Sequence, residues 1–274
     1  MNLYELNKNV IGQLDPLTSN EITLKMSLID EYYKIASEMG CKYFVTTDHL
    51  EFMSVYNNQD WTVDFKSLEE DLKRLSKKYP NVIPLKGVEM GYRKDHLDRM
   101  MNIIQTEDFD LINLSIHDNG EIDYYLKEEF INKGVDKVLK IYFDNMIDGL
   151  VTMDDFDVLS HFDYGFKTAL LVKPNIKISE YEDYLVKIFK ILISKKKALE
   201  INIKVQTTIN SLEHIKYFLT LYKQLGGERL TISTDSHEPN LYMKNYDKYA
   251  SIVKECGFNE LCYYVKRKEY RYSI

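Results

Sequence analysis

Cysteine is scarce in this chain. Cys41, Cys256 and Cys262 are the only three, an odd number without CxxC spacing, which excludes a disulfide framework or a thiolate zinc site as an organising feature. A reducing, cytoplasmic setting is the expectation. Basic residues do not prevail either: the formal net charge is -7, whereas a phosphate backbone is gripped by clustered Lys and Arg. No apolar run approaches the roughly 18 residues of a membrane span, and MNLYELNKNVIGQLD has no basic region followed by an apolar stretch. Neither nucleic acid nor membrane is expected as a partner. No Gly-rich turn follows the first strand pattern, which argues against dinucleotide binding. There is no linker rich in Pro, Gly or Ser and no low-complexity tract, so one domain over residues 1–274 is expected, with 45% apolar residues to build its core.

What is present is alternation. Apolar runs of strand length are followed, almost from end to end, by longer segments of helical period. A short strand over residues 3–11 precedes the helix SNEITLKMSLIDEYYKIASEMG; KYFVTTDH reads as a strand and VDFKSLEEDLKRLSKKYP as a helix stopped by Pro80. VIPLKGVE, FDLINLSIH, DVLSH, ALEINIK and LTISTDSH read as further strands separated by helices, and a last helix over residues 244–256 precedes a weak strand at LCYYV. About seven such pairs in this length point to an α/β fold, a closed (β/α)7 barrel of distorted TIM-like form, with its chemistry where the strands deliver their C-terminal ends.

Those ends carry the ligand-type residues. His49, Glu89, His117 and His161 close four of the strands, and Asp235 and His237 close a fifth. The chain has six histidines; four sit at strand ends, while His96 and His214 lie in helical segments and read as ordinary surface or half-buried residues. Imidazoles mixed with carboxylates suit Zn, Mn or Fe better than Ca, and a shared carboxylate such as Glu89 can bridge two cations. Paired cations activate a bridging water and hold a phosphoryl group for attack, which places phosphoester hydrolysis first among reaction types.

The stretches TTDH (Thr46 to His49), KGVEMG (Lys86 to Gly91), SIHDNGE (Ser115 to Glu121), SHFDYG (Ser160 to Gly165), ALEIN (Ala198 to Asn202) and GGERLTISTDSH (Gly226 to His237) resemble, in this order and spacing, the polymerase and histidinol phosphatase family. Within it, the chain is similar to the histidinol-phosphate phosphatases, metal-dependent (β/α)7 barrels. The resemblance implies three metal positions. Glu89 would bridge the first and second, Asp235 would serve the first, His117 and His161 the second, and Asp15, His49 and His237 the third.

One departure stands out. The family opens with His-x-His, and the register that keeps Asp15 in place puts Asn7, Lys8 and Asn9 there; no histidine precedes His49 in any register. Residues two apart on a strand share a face, so Asn7 and Asn9 are expected to point at the site as weaker, neutral oxygen donors. Two cations are therefore expected, with the first position doubtful. Lys167 and Lys204 stand where the similar phosphatases carry arginines, and are expected to bind phosphate without a bidentate fork. The implied activity is hydrolysis of L-histidinol phosphate or a related small phosphomonoester, with His237 or Asp235 protonating the leaving alkoxide. The alternative is a metal-binding pseudoenzyme that binds a ligand or partner without turnover. Oligomeric state is not legible.

Overall fold

The computed structural model describes residues 19–274. Asn7, Asn9, Asp15 and the strand expected over 3–11 lie outside them.

Helix α1 (Ser19–Glu38) leads into β1 (Tyr43–Ser54), β2 (Gln59–Trp61), α2 (Phe65–Lys78) and β3 (Ile83–Gly91). Next come α3 (Leu97–Thr106), β4 (Leu111–Ser115), α4 (Lys127–Lys133), α5 (Val135–Thr152), β5 (Val158–Leu159), α6 (Tyr164–Val172) and α7 (Glu182–Lys195). The chain continues with β6 (Ala198–Asn202), α8 (Ile203–Ile209), α9 (Leu212–Gln224), β7 (Leu230–Ser233), α10 (Tyr246–Glu255), β8 (Glu260–Val265) and β9 (Lys268–Ser273).

The principal sheet runs β2-β1-β3-β4-β5-β6-β7. Every pairing from β1 to β7 is parallel, and β2 is an antiparallel addition to the outer part of β1. Helices cover the sheet in the manner of a distorted TIM-like barrel. The strands read as continuous apolar runs because both their faces are buried, as in β4 and β6, where every residue is buried. Helix α2 shows how sequence makes an outer layer. Asp64 caps it by accepting from the Ser67 N–H, Leu68, Leu72 and Leu75 recur on one face to meet the core, and Lys77 and Lys78 close it ahead of Pro80.

The two ends of the strands differ in character. At the N-terminal end, Val45, Leu85, Leu111, Val158 and Ala198 form an apolar cluster with Cys262 and Tyr264 of β8. The β8–β9 hairpin thus plugs the barrel floor and leaves chemistry to the opposite end.

Several boundaries depart from the sequence expectation. ALEINIK is a strand only to Asn202; Ile203 and Lys204 begin α8, because the Asn202 side chain accepts from the Val205 N–H and turns the chain into a helix. LTISTDSH is a strand only to Ser233, so Asp235 and His237 lie in the following loop. DVLSH contributes just Val158 and Leu159. Helices α4, α6 and α8 were not expected; at seven to nine residues they span about two turns, too few to display a helical period.

Candidate metal centre

The site begins on β1. His49 and Glu51 are two residues apart and share a face, and the register sets His49 beside Glu89 of β3, which in turn pairs with Asn113 of β4. His117 and His161 lie just past the ends of β4 and β5. Parallel register sets His49 beside Glu89, and the turns that follow β4 and β5 bring His117 and His161 to them.

They meet at bonding distances. Glu89 Oε1 lies 2.8 Å from His161 Nε2 and 3.3 Å from His117 Nε2, and accepts a 2.6 Å hydrogen bond from Ser115 Oγ. The two Nε2 atoms of His117 and His161 are 3.3 Å apart. On the outer side, Glu51 Oε1 accepts from His117 Nδ1 at 2.9 Å and lies 2.9 Å from His49 Nδ1. His49 Nδ1 is also 3.9 Å from Glu89 Oε2.

Charge follows from this crowding. Burial by itself opposes ionisation of His49, Glu51, Glu89 and His117, yet mutual attraction wins. His117 is raised well above the ordinary imidazole range by Glu51 and Glu89, and His49 is raised by Glu89 and Glu51, both against burial. Burial would lift Glu51, but His117 and His49 hold it down at about 2; Glu89 is likewise driven well below the carboxylate range by His49, His117 and His161.

A second wall faces this cluster across a cavity that Glu89, His161, Glu200, Asn202 and Asp235 help to line. Glu200 is fully enclosed. It accepts from the His161 backbone N–H at 2.8 Å and from Asn202 Nδ2 at 3.2 Å, and burial raises its pKa. Asn202 Nδ2 also reaches Asp235 Oδ2 at 3.3 Å. Beside Asp235 stands Lys204, whose Nζ is 3.6 Å from Asp235 Oδ2 and 2.9 Å from His237 Nδ1. Burial lowers the His237 pKa, and the Lys204 charge adds to that. Lys167, on α6, is buried, with Nζ 3.9 Å over the Tyr164 ring and 5.0 Å over Tyr125. Burial and then the charge of Lys204 push it down to about 8.

Two observations test whether divalent cations fit here. In tetrahedral coordination with bonds of about 2.0–2.1 Å, ligand atoms sit roughly 3.3 Å apart, close to the 3.3 Å between the His117 and His161 nitrogens. Asn113 Oδ1 and Asp235 Oδ1 are buried acceptors without a hydrogen-bond donor, and both residues line the cavity. Two groups of three ligand types are compact enough for one ion each: Glu89, His117 and His161, and His49, Glu51 and His117. The residues fit. The backbone agrees, since His161 and Asp235 adopt positive φ of 23° and 43°, a conformation that costs side-chain-bearing residues of order 1–3 kcal/mol and concentrates at functional positions.

Of the residues named from sequence, His49, Glu89, His117 and His161 form one cluster. Asp235, which lines the cavity, forms a second group with His237 and Lys204, and Lys167 feels the charge of Lys204 and Asp235. His96 packs edge-to-face with Phe52 and His214 with Phe166, outside the site. Sequence reasoning passed over Glu51 and Glu200. The signal for Glu51 is its two-residue spacing from His49, which puts both on one face of a strand; that for Glu200 is a lone carboxylate inside the apolar run ALEIN.

The sequence belongs with one family. The model of the PHP domain matches residues 25–204. The histidinol-phosphatase of Lactococcus lactis subsp. lactis is 26% identical over 224 residues, 81% of this chain and 82% of the relative. A probable histidinol-phosphatase of Clostridium acetobutylicum is 25% identical over 70% of this chain and 76% of its own length. Among solved structures, the histidinol phosphate phosphatase of Lactococcus lactis, complexed with zinc, L-histidinol and phosphate, matches with a TM-score of 0.78 at 21% identity over 98% of both chains. That likeness shows the fold.

Proposed function

The chain belongs to the PHP domain family, and from that premise we propose that it is a metal-dependent phosphomonoester hydrolase acting on L-histidinol phosphate or a close analogue. The observation that carries this reading is the cluster of His49, Glu89, His117 and His161 at coordination spacing, beside a cavity that Asp235 also lines, with Lys204 Nζ 3.6 Å from Asp235 Oδ2.

Glu89, His117 and His161 would hold one cation, His49 and His237 would contribute to another, and Asp235 would serve the remaining position. When bound, such ions supply Lewis acidity toward phosphoryl oxygens and a water of lowered pKa. The protein's own groups do the rest. Lys204 and Lys167 offer positive charge to the phosphate from one side of the cavity, as point charges rather than as forks. Protonation of the departing alkoxide would fall to His237 or Asp235, whichever is not engaged by a cation. Glu200 and Asn202 hold the floor between the two walls. A cytoplasmic location belongs to the same reading and is supported by three free cysteines among the described residues.

Purified protein analysed for bound metal and assayed on L-histidinol phosphate and a panel of simple phosphomonoesters tests the proposal. Zinc, manganese or iron together with metal-dependent phosphate release is expected. Metal uptake with no hydrolysis of any ester would leave a metal-binding protein without turnover and overturn the enzymatic reading.

A further inference from the structure

The geometry points to Glu51 as a positioning residue that aims the metal-ligating imidazole of His117. The inference rests on the proposed metal-dependent site and adds to it the carboxylate behind one of its ligands.

Glu51 is buried, 4% exposed, and its Oε1 accepts from the His117 ring while lying close to that of His49. Oε1 is 2.9 Å from His117 Nδ1 and 2.9 Å from His49 Nδ1. A carboxylate at this site can only accept, so the His117 nitrogen facing it carries the hydrogen. A neutral imidazole with Nδ1 protonated has its one lone pair on Nε2, and Nε2 of His117 is the atom that faces Glu89 and His161. Glu51 therefore selects the tautomer that leaves Nε2 free for a cation.

The same logic decides between two uses of His117. It belongs to both compact groups, one with Glu89 and His161 and one with Glu51 and His49, but it reaches them through opposite nitrogens. A neutral ring has one lone pair to give. Coordination beside Glu89 and His161 makes Glu51 the hydrogen-bond partner behind the ligand, which fixes ring orientation and raises ligand basicity. The strand pair is shaped for this arrangement: Gly91 lies alongside, and a Cβ there would approach Glu51 Cγ to 2.8 Å.

The test is zinc affinity of the full chain, measured by competition with a chromogenic chelator, for wild type, Glu51→Gln and Glu51→Ala. Removal of such a partner weakens metal binding about 10–100-fold. The alanine variant is expected in that range. The glutamine variant, which keeps an acceptor oxygen and loses the charge, is expected between it and wild type. Melting in excess chelator separates a metal effect from a folding defect: a merely structural Glu51 would lower the chelator-treated melting temperature and leave zinc affinity alone. A second measurement does not depend on any variant. Nitrogen-15 spectra of histidine-labelled, zinc-loaded wild type should show His117 protonated at Nδ1 and metal-shifted at Nε2. Zinc affinity of Glu51→Ala within about twofold of wild type, on the same scale, or His117 protonated at Nε2, would overturn the inference while leaving the metal site standing. Wild type that takes up no zinc would overturn the site itself.

Discussion

His161 and Asp235 show what a residue can be made to tolerate. Both carry side chains in the left-handed region, at φ of 23° and 43°, where only glycine sits without cost. Replacing His161 with alanine removes the ring but keeps the strain, whereas glycine removes both. His161→Gly should therefore melt higher than His161→Ala in chelator, by about 1 kcal/mol equivalent, and both should lose zinc; equal melting would show that the backbone there stores nothing. Lys167 makes a different single-residue case. Burial depresses its pKa to about 8, so the charge offered to phosphate is present below that value and lost as pH rises through it. KM for the phosphomonoester should accordingly be flat below about pH 8 and climb above it, and Lys167→Met should raise KM and erase that limb. At this scale the site was largely legible. Four of six histidines closing strand patterns are improbable without a shared task, and Glu89 closes the strand pattern between those of His49 and His117. Glu51 was hidden because it extends a strand whose end was drawn at His49, while β1 runs on to Ser54.

Elements place these residues by register, and register is sensitive to small volumes. Strands β1 and β3 run parallel with His49 beside Glu89, and just past that level Gly91 leaves room for the Glu51 stem. Gly91→Ala would force Cγ of Glu51 from a 2.8 Å approach. We expect overpacking to cost about 1–3 kcal/mol and zinc affinity to fall in the same direction as for Glu51→Ala, although position 91 has no ligand atom. Thermal melts with and without zinc check both halves, and unchanged affinity would mean that Glu51 can move without consequence. The short helices explain where element reading failed. Lys204 was placed on a strand because INIK looks β-like, yet Asn202 caps a helix there; the turn aims Lys204 back at His237 and Asp235. Likewise Lys167 belongs to α6, whose buried Gly165 and Ala169 give little amphipathic signal. Capping chemistry was written in the sequence, but it competes with β-branched propensity and tertiary packing decides the outcome.

The whole molecule separates an apolar floor from a charged mouth. Cys262 and Tyr264 of the terminal hairpin seal the strand starts, and the strand ends gather carboxylates and imidazoles that would repel or starve for solvent without each other or a cation. The alternating pattern made that polarity foreseeable, because a parallel barrel has only one end at which strand C-termini meet. The hairpin's function as a plug was not foreseeable, since LCYYV carries no mark of where it docks. This separation couples metal, protons and stability. In the metal-free protein, His49 and His117 have raised pKa values, so their contribution to stability is complete below the unfolded imidazole value of about 6.5 and is lost as pH rises through the raised folded values. Glu51 works in the opposite sense, contributing above the unfolded carboxylate value and losing that contribution as pH falls toward about 2. Zinc reverses the alkaline trend, because its ligands must shed their protons to bind. Chelator-treated protein should therefore lose melting temperature as pH rises above neutrality, while the gain on adding zinc should grow with pH, reaching about 2.7 kcal/mol when free zinc is a hundredfold above Kd. Calorimetric titration in buffers of different ionisation enthalpy should show proton release on zinc uptake. A zinc gain that shrinks as pH rises through neutrality, with no protons released, would mean that the strand-end imidazoles are not where the ion binds.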